Sequence, residues 1–157
     1  MITDLLGAIW RRLPVGVRRR VSRLGQSRFT VTTAAFIFDE DDRILLLEHV
    51  FRPDSGWGVP GGFLTKGEQP EDGLRRELRE EIGIEIEDLE LLFARALPGL
   101  RQIEIYFRAR AIGNPEPCSF EIKTARWFML DNLPSELSKD QRRLISRARM
   151  LISTPPF

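Results

Sequence analysis

The sequence predicts an α+β fold arranged as a three-layer α/β/α sandwich around a mixed central β-sheet. Three observations carry that expectation. The 157 residues match the size of one domain with a core of its own. Hydrophobic residues make up 42% of the chain and charged residues 30%, the balance of a globular protein rather than a disordered or fibrous one. Read in order, the apolar periodicities give strands, one central helix, more strands and a final helix, with no internal repeat and no low-complexity tract.

The first 28 residues precede that pattern. Ile2, Leu5, Leu6, Ile9, Trp10 and Leu13 recur at helical spacing, Pro14 interrupts them, and Val17, Val21 and Leu24 resume. This predicts two short amphipathic helices broken at the proline. Residues 1–28 carry Arg11, Arg12, Arg18, Arg19, Arg20, Arg23 and Arg28 against Asp4 alone, so the segment is +6 and the rest of the chain −5. No apolar stretch of signal-peptide length follows the arginines. The segment therefore reads as a basic helical extension, residues 1–28, ahead of a domain over 29–157. Its apolar stripe packs on the domain or a second subunit, or else the helices meet RNA or anionic lipid. No apolar run approaches the roughly 20 residues that cross a bilayer. The one cysteine, Cys118, forms no internal disulfide and gives no zinc spacing, which fits a reducing, cytoplasmic setting.

Phe29 to Phe38 is rich in Thr, Val, Phe and Ile, and the acidic turn Asp39 to Asp42 separates it from the apolar run Ile44 to Leu47, predicting a hairpin. Glycines and Pro60 around Trp57 and Val59 mark a tightly bent segment. Gln69 to Ile82 reads as a helix, with Pro70 in its first turn, Glu71 and Asp72 beside it, and Gly83 ending it. Leu89 to Ala96, Gln102 to Ala111 and Arg126 to Met129 read as strands. Ser138 starts the last helix, with Gln141 as its capping-box partner and Leu144, Ile145, Ala148, Leu151 and Ile152 as its apolar face.

The chemistry concentrates on the central helix. At about 100° per residue, Glu77, Glu80 and Glu81 project three carboxylates onto an arc roughly 100° wide, while Leu74, Leu78 and Ile82 form an adjacent stripe. Like charges at this spacing destabilise a helix, and a cation joining them removes that cost. Oxygen-only donors suit hard ions, above all Mg²⁺. Arg76 sits where it can neutralise and orient the carboxylates, with Glu68 at the preceding bend as its partner.

The segment Gly62 to Ile84, GFLTKGEQPEDGLRRELREEIGI, resembles the signature of the Nudix hydrolase family. Its defined positions are Gly62, Glu68, Arg76, Glu77, the aliphatic Leu78, Glu80, Glu81, Gly83 and the aliphatic Ile84, and every one is filled. With each residue type at about 0.07 frequency, seven fixed identities coincide by chance on the order of once in 10⁸ starts. The resemblance extends over most of Phe29 to Ile152. Trp57 to Gly62 looks like the family's approach loop, in which the carbonyl at Gly61 often binds metal. Glu121 resembles a loop glutamate that binds metal or acts as base, although Thr124 stands where many members carry a further acid.

The resemblance implies a Nudix-type sandwich that hydrolyses a nucleoside diphosphate linked to another group, by attack of water on phosphorus with Mg²⁺ or Mn²⁺ bound. It implies Gly61, Glu77, Glu80, Glu81 and Glu121 around the metal, Arg76 with Glu68 as an orienting pair, and Glu77 or Glu121 as general base. Phosphoryl transfer depends mainly on positioning and charge stabilisation, which such residues supply. Beside the resemblance, three residues read two ways: Trp57 stacks on a base or walls the core, Arg52 holds a phosphate or stays solvated, and His49 near the approach loop meets substrate or is structural. Pro98, fourteen residues after Ile84, resembles a proline of members that act on ADP-ribose, and it also reads as an ordinary Pro-Gly turn. Members are frequently dimers, so a homodimer is the implied assembly. Two other functions stay open: hydrolysis of nucleoside triphosphates or RNA 5′ ends, and a non-catalytic ligand-binding regulator.

Overall fold

Pro14 sets the first boundary, because its ring removes a backbone donor and fixes φ. It lies between helices α1 (Ile2–Arg12) and α2 (Val15–Arg23), capping the second with φ −53° and ψ 145°. The computed structural model describes residues 2–52 and 56–153; the side chain of Leu5, assigned above to the first apolar stripe, lies outside that description. Neither helix makes an extended contact with the remaining elements, and α2 buries no residue. Among the described residues the apolar stripe thus has no extended packing on the domain.

Strand β1 (Thr30–Ile37) is bordered on both edges. It pairs antiparallel with β4 (Gly61–Phe63) and parallel with β6 (Gln102–Ile112), and β6 pairs antiparallel with β5 (Glu85–Leu97). This is the mixed sheet, in the order β4-β1-β6-β5. Strand β2 (Ile44–His49) belongs to a second, antiparallel sheet between β3 (Trp57–Gly58) and β7 (Ile122–Phe128). The expected hairpin therefore keeps its turn and loses its ladder. Asp39 Oδ1 accepts the N–H groups of Asp41 and Arg43 at 3.1 and 2.8 Å, but only Phe38 and Ile44 bridge the strands. A strand has two edges, and both of β1's are taken by other partners.

Side chains alternate along β1 and β2 and fill two core layers. Ala35, Ile37, Leu45 and Leu47 pack with Leu74, Leu78 and Ile82 of helix α3 (Pro70–Ile82). Phe36, Ile44 and Leu46 face the other way, onto Leu144, Ile145 and Ala148 of helix α4 (Lys139–Ser153). Burial on both faces explains why Ile44 to Leu47 is an unbroken apolar run. The result is the α/β/α sandwich the sequence predicts, with the strands divided between two sheets.

Helix α3 begins at Pro70 in its first turn and ends on Gly83 at φ 69°, a left-handed C-cap. The loop before β7 then lies across its end: the N–H groups of Glu116 and Cys118 donate to the carbonyls of Ile82 and Glu81 at 3.0 and 2.8 Å. Helix α4 is capped by Ser138 Oγ, which accepts the Gln141 N–H at 3.1 Å. The Gln141 side chain does not complete the capping box and instead accepts the Val59 N–H at 3.3 Å. Leu151, expected on the apolar face of α4, is 44% exposed. Among the described residues no helix is long and apolar enough to cross a membrane.

Leu78 is fully buried and Ile9 is half exposed, so their truncations should differ sharply. Leu78→Ala is expected to lower unfolding free energy in urea by about 3 kcal/mol. Ile9→Ala is expected to change it by no more than about 0.5 kcal/mol.

Candidate active site

The site is assembled by α3 lying against the short strand β4. Gly61 has φ 144°, and a Cβ there would collide with the Thr33 carbonyl and the Ala34 backbone. A Cβ on Gly62 would enter the Glu77 carboxylate. Glycine at both positions lets the strand approach the helix closely enough that main chain meets acid. The Gly61 amide hydrogen-bonds toward Glu81.

Arg76 organises the acids around it. Its Nε donates to Glu68 Oε1 at 2.9 Å and its Nη2 to Glu68 Oε2 at 3.1 Å, while Nη1 donates to Glu77 at 3.0 Å and Glu80 at 3.1 Å. Nη2 also donates to the Phe63 carbonyl at 3.0 Å, tying helix to strand. The Arg76 hydrogen bonds, joined by the Thr65 N–H at 2.8 Å, hold the Glu68 carboxyl down at about 2.

The three helix carboxylates occupy different environments. Glu80 is the exposed one, with its side chain at 60%. Glu77 is mostly buried, and burial raises its pKa against the opposing effect of Arg76. Glu81 is only 7% exposed. Burial, then the neighbouring Glu77 charge, push it up to about 8, with Arg52 opposing and Glu121 adding to the rise. Glu81 Oε2 is buried without a hydrogen-bond partner. The sequence placed this glutamate in a cleft with its fellows, but it lies next to Leu74 around the helix and shares that residue's burial.

Glu121 is exposed, its N–H donating to Ser119 Oγ at 3.2 Å and its carbonyl accepting from Val50 at 2.8 Å. Arg52 and Trp57 line a cavity of about 570 Å³ whose wall includes Gly61 and Gly62. Trp57 packs edge-on against Phe128 with ring centroids 5.1 Å apart. His49 does not line that cavity; burial, and then Arg52, bring it down to about 4, so the imidazole is neutral. Pro98 opens a one-turn 3-10 helix between the antiparallel β5 and β6, and its neighbours Leu97 and Leu100 reach the cavity rim.

Sequence reasoning missed the far wall of the cavity. Arg95 on β5 donates to Glu104 on β6 at 2.5 Å and to Asp140 on α4 at 2.9 and 2.6 Å, and the Tyr106 hydroxyl donates to Glu104 at 2.9 Å. Thr33 Oγ1 is buried beside it without a partner. Arg95 and Glu104 face each other only through the β5–β6 register, which no local motif encodes.

The donor set fits a hard divalent cation. It is all oxygen, one buried carboxylate oxygen is orphaned, and the Glu77 charge raises the Glu81 pKa by repulsion that a cation would relieve. Among the described residues no three acidic, histidine or cysteine side chains form a ready ligand cluster. Arg76 holds Glu77 and Glu80.

The NUDIX domain profile matches residues 28–148. A MutT-like protein of Streptomyces ambofaciens is 31% identical over 113 residues, 70% of each chain. An NAD-capped RNA hydrolase NudC of Mycobacterium tuberculosis is 30% identical over 129 residues; that match takes in 80% of this chain but 41% of the relative's length. The crystal structure of a MutT NUDIX hydrolase from Burkholderia pseudomallei superposes with a TM-score of 0.68 at 29% identity, covering 76% of this chain and 98% of that one.

Because Glu81 keeps a proton in the native state that an unfolded glutamate at 4.5 releases, the metal-free protein should lose stability as pH rises from 4.5 to about 8. Glu81→Gln cannot release that proton and should flatten this slope in thermal melts recorded with chelator. Parallel melting-temperature curves for the two proteins would contradict the assignment.

Proposed function

The chain belongs to the Nudix family of hydrolases, and from that premise we propose that it cleaves the diphosphate of a nucleoside diphosphate joined to a second group, such as ADP-ribose or a nucleotide sugar. The observation that carries this reading is the wall shared by cavity and acids. Gly61 and Gly62 form one side of the cavity and are also the surface against which Glu81 and Glu77 rest. A substrate lying in the cavity thus brings its phosphates to the carboxylates.

Glu77, Glu80 and Glu81, with the Gly61 carbonyl, would hold Mg²⁺ or Mn²⁺. Bound there, the cation neutralises diphosphate charge and favours attack by water. The protein's own groups do the rest. Arg76 fixes the helix carboxylates relative to β4, with Glu68 as its anchor. Arg52 at the cavity edge supplies positive charge to a phosphate. Trp57 offers aromatic surface to a nucleobase. Glu121 takes the proton from the attacking water, because its side chain has no hydrogen-bond partner among the described residues and lies within electrostatic reach of Glu81, whereas Glu77 is engaged by Arg76. The two-ended cavity, with an acidic and hydrogen-bonding far wall, favours a substrate carrying a group on each side of the diphosphate.

A panel of ADP-ribose, nucleotide sugars and nucleoside triphosphates, assayed with Mg²⁺ or Mn²⁺ for released products, tests the substrate. The expected result is a higher kcat/KM for the two-ended diphosphates; a triphosphate preference of about tenfold or more would reverse the reading. Glu80→Gln and Glu81→Gln should each lower kcat by at least about a hundredfold while leaving the fold intact, and chelator should abolish turnover. Glu121→Gln should remove the acid limb of the pH–rate profile without changing the metal concentration at half-activation. Should Glu77→Gln do so instead, the base is Glu77.

A further inference from the structure

Helices α1 and α2 carry two features that the hydrolytic site does not use. The first is uncovered apolar surface: Ile2, Leu6 and Ile9 are 76, 60 and 52% exposed, and Leu24 is 80% exposed. On α1 these side chains and Trp10 fall within one arc of the helix, as Val17, Val21 and Leu24 do on α2. The second is unbalanced charge. Among the described residues none of the seven arginines in 1–28 forms an ion pair, whereas seven of the fourteen arginines of the body do: Arg43, Arg76, Arg79, Arg95, Arg108, Arg110 and Arg149. All seven except Arg18 are exposed.

We propose that α1 and α2 are a docking surface for an anionic phospholipid bilayer, along which they lie without crossing it. A helix of this kind buries its apolar arc at the headgroup boundary while its cations meet anionic lipid. An anionic bilayer is the occupant that satisfies both features at once. RNA would neutralise the arginines and leave Ile2, Leu6, Ile9 and Trp10 in water. A second copy packed stripe to stripe would cover the apolar arc and bring two +6 segments together. At 1.5 Å per residue α1 is only about 16 Å long, too short to span and long enough to lie flat.

Vesicle flotation of the full chain tests this. The protein is expected to float with phosphatidylcholine vesicles containing phosphatidylserine, not with phosphatidylcholine alone, and to be released as ionic strength rises. Replacing Arg18, Arg19, Arg20 and Arg23 together by glutamine should weaken partitioning by about a hundredfold or more. Ile9→Glu should weaken it by about tenfold or more. Both variants should keep wild-type melting temperature and diphosphate hydrolysis; Leu6→Gln provides a second apolar-arc change if Ile9→Glu does not fold. Equal flotation with neutral vesicles overturns the proposal, as does failure to float with either. So does retention on single-stranded RNA without flotation, or an Ile9-dependent dimer that stays in the aqueous layer.

Discussion

The architecture of the candidate site depends on one guanidinium. Glu68, Glu77, Glu80 and Glu81, four of the five glutamates within fourteen residues of chain, would repel one another across a single helix and the bend before it. Arg76 contacts three of them at 2.9 to 3.1 Å and the Phe63 carbonyl at 3.0 Å. The same side chain that balances the charge also fixes the distance between α3 and β4. A lysine would carry the charge but not the fork, since one ammonium cannot reach two carboxylates and a carbonyl in fixed directions. The fourth glutamate, Glu81, lies beyond Arg76's reach, and it is the one whose oxygen is orphaned and whose proton is retained to about 8. Balanced and unbalanced charge are thus separated by one helical residue.

Backbone, rather than side chains, sets how closely the two halves of the site approach. At Gly61 and Gly62 any Cβ would collide with Thr33 or with Glu77. The cavity therefore has a wall of main chain facing the phosphates' expected position and a wall of side chains, Glu104, Tyr106, Arg95 and Asp140, at the other end. The first wall offers amide dipoles and close approach to any diphosphate. The second presents a particular hydrogen-bonding face, suited to discrimination among the groups attached to it.

Much of this was legible in the sequence because its causes are local. The break at Pro14, the caps of α3 at Pro70 and Gly83, and the carboxylates on one helical arc all follow from residues a few positions apart. The Nudix frame is likewise local, filling 23 consecutive residues from Gly62 to Ile84. What escaped was set by distant partners. The split of β1 and β2 into two sheets depends on β4, β6 and β7 competing for their edges. The Arg95–Glu104–Asp140 wall exists only once β5, β6 and α4 are in register. Gln141, read as one half of a capping box, was drawn away by the Val59 N–H on a remote loop. Glu81's burial was legible in principle, since its helical angle borders that of Leu74, but a three-way grouping of glutamates obscured it.

The end of α3 is closed by main chain borrowed from the loop before β7, through the N–H groups of Glu116 and Cys118. Peptide groups are the same in every residue, so such a clasp is indifferent to which side chains the loop carries and sensitive to how many residues it contains. Between Gly113, held at φ 97°, and Ser119, which accepts the Glu121 N–H, substitutions other than proline at 116 or 118 leave the clasp intact, whereas adding or removing one residue would shift Glu121 relative to Glu81. The length of that loop, more than its composition, is the measuring rod that sets Glu121 against the end of α3.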